Sequence, residues 1–302
     1  RNPQLFRDAF RVIEWSRKVM TVLGGRFHNV VSIRIGGVYG CPRREEVAKI
    51  LRDVADVERS LLRFADFVLS LDIPSFKQDM KFLTLYDGSE YPERAEKIAL
   101  HDSSHVEFYD LRDFERIVKV EQKAYSNALR YRLTNGDPYV VGPLARFNIG
   151  YKHLRGEVRD KLGEHGWRPP FVNMYQSIVA RIAETYNTLL FLREFAEKYR
   201  EPTERGVEVK IGPGEYLAAV EAPRGILYHR YVVDANGRIS YANIVTPTAQ
   251  NLAAMERLIS DTIHQSNAVS EETVLRVGAE IVRCFDPCIS CSVHTVKVHI
   301  IQ

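Results

Sequence analysis

The chain has 302 residues, 45% of them hydrophobic, which suits one large domain or two closely packed ones with ample core. Its 42 basic and 39 acidic residues leave a net charge of only +3, without the basic excess that nucleic-acid or membrane-surface binding shows. Three of the four cysteines, Cys284, Cys288 and Cys291, lie within eight residues, so this is no secreted disulfide framework, and reduced thiols in a cytoplasm fit better.

In chain order, residues 4–22 read as a helix with Phe6, Phe10, Ile13 and Met20 on one face, stopped by Gly24-Gly25. The loop Arg26-Phe27-His28 and the pair Gly36-Gly37 follow. Residues 44–71 carry an amphipathic pattern ended by Pro74; as one helix it would span roughly 40 Å, at about 1.5 Å per residue. Phe82 to Tyr86 predicts a strand. His101 and His105 are four apart, as metal ligands on one helix face would be, but Asp102-Ser103-Ser104 between them argues for a loop. Helices are expected over 111–130, 150–163 and 173–200, the last with Asn173 as N-cap.

The last third turns to strands, at Val207 to Val209, Tyr216 to Val220, Ile226 to Val233 and Arg238 to Val245. Asp234-Ala235-Asn236-Gly237 between the last two is a hairpin signal. Pro247-Thr248 opens a helix to about residue 264, and Ser270 caps another, with Glu271 and Glu272 in its positive first turn. The second of these should end near Phe285, because Pro287 biases Asp286 away from the α region. The expected class is α+β and predominantly helical: a long-helix bundle over 1–203, then a smaller portion, 204–302, that is β-rich and then helical. No apolar run approaches the about 20 residues that span a bilayer, and no signal peptide is visible.

The C-terminal helix delivers Asp286-Pro287-Cys288-Ile289-Ser290-Cys291-Ser292-Val293-His294. Cys-x-x-Cys on one tight turn can aim both sulfurs at one metal, and thiolate selects zinc, nickel, copper(I) or iron–sulfur chemistry. Asp-Pro-Cys-x-x-Cys-x-x-His near a C-terminus resembles the metal motif of nickel–iron hydrogenase large subunits. Four further stretches resemble that family, in its order: Gly25-Arg26-Phe27-His28 with Gly36-Gly37, Gly142-Pro143-Leu144-Ala145-Arg146, Glu221-Ala222-Pro223-Arg224-Gly225, and Thr246-Pro247-Thr248-Ala249-Gln250-Asn251.

The resemblance implies the large subunit of a cytoplasmic hydrogenase catalysing H2 ⇌ 2 H+ + 2 e− at a Ni-Fe(CO)(CN)2 centre. It implies that Cys288 is a terminal nickel ligand and Cys291 a bridge between nickel and iron. Arg224 and Thr248, flanked by Pro223 and Pro247, would donate to the cyanides, since a buried acceptor needs donors. His294 and the backbone carbonyl of Ile244 would bind a magnesium or other divalent ion. Asp286 has two readings, an N-terminal turn stabiliser or a carboxylate near the metal that orients Arg224. His28 reads equally as a residue near the metal site or as a satisfied core histidine. Cys41 and Cys284 match no ligand position and read as buried small residues.

The implied partners are a small subunit carrying iron–sulfur clusters, further electron-transfer subunits linked to NAD(P), F420 or heterodisulfide, and a maturation endopeptidase that removes Thr295 to Gln302. The family's upstream Arg-x-Cys-x-x-Cys and Arg-Gly-x-Glu are not in this sequence, and its first residue is Arg1. The chain therefore reads as a piece of something longer, by roughly a hundred or more residues, and as unable to complete the cluster alone. Tyr125-Ser126-Asn127-Ala128-Leu129 departs from the His-Ser-aromatic-Ala-Lys of several cytoplasmic members, so the electron acceptor stays open. Two competitors remain: a complex I-like relative without metal, against which both cysteines argue, and a zinc-stabilised protein using Cys288, Cys291, His294 and Cys284.

Overall fold

The computed structural model describes residues 2–76, 78–102, 104–266 and 270–288. The chain divides into two compact units, Arg1–Leu71 with Ile182–Ile211, and Asp72–Arg181 with Gly212–Gln302.

The first unit is built on helices α1 (Pro3–Gly24), α2 (Arg44–Arg52) and α3 (Val54–Leu69), with a small ladder of β1 (Ile33–Arg34) and β2 (Gly37–Val38). Asn2 caps α1 by accepting from Gln4 N and Leu5 N, and Gly25, at φ 79°, ends it, as the Gly24-Gly25 signal predicts. The face of α1 that packs is not the expected one. Asp8, Trp15 and Val19 are buried, whereas Phe6, Phe10, Ile13 and Met20 are exposed. Trp15 Nε1 donates to Ile50 O at 3.2 Å, and Asp8 takes Arg63 at 2.6 and 3.0 Å. A charged residue at the centre of the packed face hid that face from a hydrophobic count.

The single helix expected over 44–71 is broken at Asp53, whose φ −96° and ψ −7° leave the helical ladder. Aspartate is a weak helix former, and the apolar period carries across a one-residue break without marking it. Val207 to Val209 form no strand; Val207 N instead donates to Gly36 O at 2.9 Å, and Gly206 bridges Gly37.

The second unit begins with an antiparallel meander, β3 (Phe82–Leu85), β4 (Lys97–His101) and β5 (Val106–Asp110). The β4–β5 turn is the loop that Asp102 predicts: its side chain accepts from Ser104 N and His105 N at 2.7 and 2.8 Å. His101 is buried and stacked on Phe82, while His105 is exposed beside Glu107, so the two are not a helical ligand pair.

The helix expected over 111–130 shrinks to α4 (Phe114–Ile117); the rest is a hairpin of β6 (Val118–Gln122) and β7 (Leu129–Leu133). Val118-Lys119-Val120-Glu121 alternates with period two and is β-branched at each apolar position, which favours a strand. The helix expected over 150–163 begins late, as α6 (Gly156–Glu164), after a tight turn at Tyr151–His153, and the stretch before that turn, opened by Gly142-Pro143, is itself a helix, α5 (Pro143–Gly150). α7 (Ser177–Lys198), which belongs to the first unit from Ile182 onward, follows a turn in which Asn173 forms the expected cap, its Oδ1 accepting from Tyr175 N and its own N donating to Gln176 Oε1.

β8 (Gly214–Ala222), β9 (Gly225–Val233) and β10 (Ile239–Val245) form one antiparallel sheet with β9 central. The β9–β10 hairpin is as predicted, with Asp234 N donating to Arg238 O at 2.8 Å and Gly237 at φ 75°. α8 (Pro247–Gln265) and α9 (Glu271–Phe285) complete the unit, and α9 ends at the expected residue. Leu83, Leu85, Ile98, Phe114, Tyr139, Ile226, Tyr228 and Val245 form its core, with Phe114 and Tyr228 stacked at 4.3 Å. Each such side chain contributes about 1.5–3 kcal/mol on burial. This core holds the inner face of the β8–β9 hairpin and thereby fixes where its tip lies. Among the described residues, no helix is long and apolar enough to cross a membrane.

Candidate metal centre

The β8–β9 hairpin turns at Pro223 and Arg224, since Ala222 pairs with Gly225. Proline pre-sets the φ of the first turn residue, and Arg224 is left at the tip with its side chain projecting. Gly225, at φ 134°, closes the turn; a Cβ there would lie 2.3 Å from Val141 Cγ2. Gly142, at φ 105°, abuts the other side, where a Cβ would lie 2.5 Å from Arg224 O. Two of the quoted glycine motifs are thus pressed backbone to backbone, and only glycine permits it.

A buried polar framework fixes this contact. Arg146 Nη1 donates to Glu221 Oε2 at 2.9 Å and to Ala222 O at 3.0 Å, and its Nη2 donates to Pro223 O at 3.0 Å. The other oxygen of Glu221 accepts from Thr84 Oγ1 and Leu85 N, both at 2.8 Å. The two charged side chains are 5% and 1% exposed. Burial pushes the Glu221 carboxyl up, and Arg146, Leu85 N and the Thr84 hydroxyl work against that shift. From α8, Asn251 accepts from Val141 N at 2.9 Å and directs Nδ2 at Val141 O and Arg224 O, at 3.3 and 3.5 Å. Gln250 Nε2 donates to Ile226 O at 2.7 Å.

The end of α9 reaches the same place. Asp286 adopts the left-handed conformation, φ 49° and ψ 54°, that aspartate tolerates. Arg224 Nε donates to the Asp286 backbone carbonyl and lies 3.1 Å from its Oδ2. Cys288 N donates to Thr248 Oγ1 at 3.3 Å, from a partly buried position above the buried threonine. The Asp286 carboxylate therefore contacts Arg224, while its backbone ends α9.

Arg224, Asp286, Thr248 and Cys288 are thus assembled in the second unit, with Pro223 and Pro247 beside them in the chain. Ile244 lies near the end of β10, paired with His229, and Pro247 opens α8 just after. His28 is exposed in the first unit, which corrects its reading as a core histidine. Cys291, His294 and Thr295 to Gln302 lie outside the described residues. Cys284 is partly buried, and burial pushes its thiol up to about 11, so the free thiol is protonated at neutral pH. Cys41 is partly buried as well.

Among the described residues, Cys288 offers one thiolate, on the turn after α9, beside the Thr248 hydroxyl and two residues after the Asp286 that meets Arg224. Sequence reading left Arg146, Glu221, Gln250 and Asn251 without roles. Their signal was present as two charged and two amide residues inside otherwise small or apolar motifs.

This fold belongs to a known class. The sequence profile of the nickel-dependent hydrogenases matches residues 75–294, and the chain belongs to that family, in its large-subunit branch. The alpha subunit of sulfhydrogenase 2 from Pyrococcus furiosus is 30% identical over 304 residues, covering 99% of this chain and 69% of that protein. The vhc F420-non-reducing hydrogenase of Methanococcus voltae has a subunit that is 31% identical, covering 98% and 67%. For the alpha subunit of P. furiosus sulfhydrogenase 1 the identity is 27%, with 93% and 65% covered, so the chain spans about two thirds of these relatives. In fold, it matches the crystal structure of an NAD+-reducing [NiFe]-hydrogenase with a TM-score of 0.83 at 18% identity, covering 97% of this chain and 69% of that one. The [NiFeSe]-hydrogenase of Dm. baculatum gives 0.67 at 18% identity, covering 96% and 68%. The expected class, predominantly helical α+β with a large-subunit fold, is borne out.

Proposed function

We propose that this chain supplies the C-terminal half of a nickel–iron site at which H2 is reversibly oxidised to two protons and two electrons. One observation carries the reading: Arg224, Thr248 and the turn with Asp286 and Cys288, three stretches distant in sequence, meet at one place, and a buried framework holds the Arg224 backbone there. When bound, a nickel–iron centre supplies the redox chemistry that splits H2. Cys288 would hold nickel as a terminal thiolate and Cys291 would bridge the two metals. Arg224 and Thr248 would donate to the iron's cyanides. Asp286 holds the guanidinium in one orientation, and the always-charged Arg224 can polarise H2 or stabilise a nearby base.

His294 and the Ile244 carbonyl would bind a magnesium ion. The complementary cysteine pair comes from outside these 302 residues. Electrons pass to iron–sulfur clusters of a small subunit, and onward to NAD(P)-, F420- or heterodisulfide-linked subunits, in a cytoplasmic complex. An endopeptidase removes Thr295 to Gln302 once nickel is in place, and intact mass of the mature protein checks this.

The test is Arg224→Lys in the assembled enzyme, read with metal content and the infrared bands of CO and CN−. Lysine keeps the charge and loses the planar fork. The expected variant retains nickel, iron and both sets of bands and loses most turnover. Wild-type turnover would refute the role of Arg224, and zinc in place of nickel and iron would refute the site.

A further inference from the structure

We infer that Arg146 is a positioning residue for Arg224, an inference that rests on the role proposed above for Arg224. Three consecutive carbonyls form the hairpin tip, and each faces a fixed side-chain donor. Arg146 takes those of Ala222 and Pro223 through two nitrogens of one planar group, both at 3.0 Å. Asn251 Nδ2 faces that of Arg224 at 3.5 Å. A two-residue hairpin loop is ordinarily the freest part of its sheet. Here the peptide planes leading into Arg224 cannot rotate without breaking bonds to a buried guanidinium.

Arg146 is itself immobilised. It projects from the first turn of α5, its side chain is 5% exposed, and Glu221 both neutralises and anchors it. Glu221 in turn is tied to β3 through Thr84 and Leu85. The chain of contacts thus runs from a fully buried core strand to the backbone that sets the direction of the Arg224 side chain. A misplacement of about 1 Å at a reacting group can cost about 10²-fold in rate, so a framework of this kind has a kinetic consequence as well as a stabilising one. Lysine at position 146 would preserve the charge facing Glu221 but could not span both carbonyls.

The experiment is a double-variant cycle in the assembled holoenzyme with Arg146→Lys, Arg224→Lys and the pair together. In R146K, turnover is expected to fall at least about 10-fold with KM for H2 within about 2-fold of wild type, a loss confined to the transition state. Nickel and iron per chain stay at wild-type levels, and the cyanide infrared bands shift in the direction seen in R224K. The double variant is expected to be about as slow as R224K alone, because Arg146 acts through Arg224. Losses that multiply, or activity lost only in proportion to metal, would overturn the inference in favour of a purely structural clamp. If R146K does not assemble, Glu221→Gln enters the same cycle, since it presents an amide NH2 to Arg146 and loosens it. Failure of both to assemble also overturns the inference. R224K with wild-type turnover would instead reject the role of Arg224 itself, whereas an impaired R224K beside a fully active R146K rejects only the positioning.

Discussion

Arg224 Nε lies 3.1 Å from Asp286 Oδ2 across 62 residues of chain, joining a hairpin tip to the end of a helix. Both side chains are more than a third exposed, at 38% and 56%, so the pair contributes little to stability. Its significance is directional. Asp286→Asn keeps the size of the residue and its tolerance of the left-handed conformation, and removes the charge that holds the guanidinium. We expect a thermal midpoint within about 2 °C of wild type, given a change below about 1 kcal/mol, and turnover reduced roughly tenfold, about 1.4 kcal/mol in the barrier. Turnover equal to wild type would show that Arg224 is oriented without the carboxylate.

Thr248 presents a second contact that can be tested by itself. Its Oγ1 accepts from Cys288 N at 3.3 Å, and the residue is 3% exposed. Thr248→Val keeps the shape and deletes the acceptor, leaving the Cys288 N–H to find a poorer one. A loss of about 1 kcal/mol is expected in chemical denaturation, with Thr248→Ser nearer to wild type. Equal stability of T248V and the parent would mean that the bond contributes nothing.

Local chemistry was the part of the fold most legible in the sequence. Asn173, Ser270, Gly25 and the Asp234 to Gly237 turn were read from residue types that act within a few positions, and each stands as expected. What failed depended on partners distant in sequence. The packed face of α1 contains Asp8, which is buried only because Arg63 meets it from α3. The hairpin Val118–Gln122/Leu129–Leu133 falls in a stretch expected as helix, because the alternation at Val118 to Glu121 is only four residues long and its partner strand lies across a turn. At the site, motifs identified the residues, but not that Arg146 and Glu221 form one buried pair, because 75 residues separate them.

The contact between Gly142 and the Arg224 backbone predicts a sharp intolerance. Gly142 sits at φ 105° and ψ −153°, a region almost reserved for glycine, at a cost of about 1–3 kcal/mol for other residues. A Cβ would also lie 2.5 Å from Arg224 O. Gly142→Ala should therefore lower the thermal midpoint by several degrees and displace the hairpin tip, reducing turnover as well. Gly156→Ala, at the first position of α6 where a Cβ meets nothing within 4 Å, is the control and should be neutral or stabilising by about 0.4–1 kcal/mol. Equal effects of the two substitutions would contradict the close approach.

His101 predicts an acid-sensitive step in stability. It is 4% exposed, stacks on Phe82 at 5.2 Å, and hydrogen-bonds the Ala145 backbone, while its Nε2 has no partner. Burial lowers its pKa from 6.5 to about 4. The unfolded chain then takes up this proton before the folded one does as pH falls. The stability conferred by the neutral ring is complete above pH 6.5 and is lost progressively between there and about pH 4. At about 1.36 kcal/mol for each pH unit separating the folded and unfolded values, the loss approaches about 3 kcal/mol. His101→Gln removes the titration and retains an amide able to bond the Ala145 backbone. It should be less stable than wild type at pH near 7.5, for want of ring packing. Its further loss between about pH 7.5 and pH 4.5 should be smaller than that of wild type by about 2–3 kcal/mol. Chemical denaturation of both proteins at the two pH values measures this difference directly. Parallel losses in the two proteins would place the acid sensitivity elsewhere and show that His101 is protonated in the fold at no great cost.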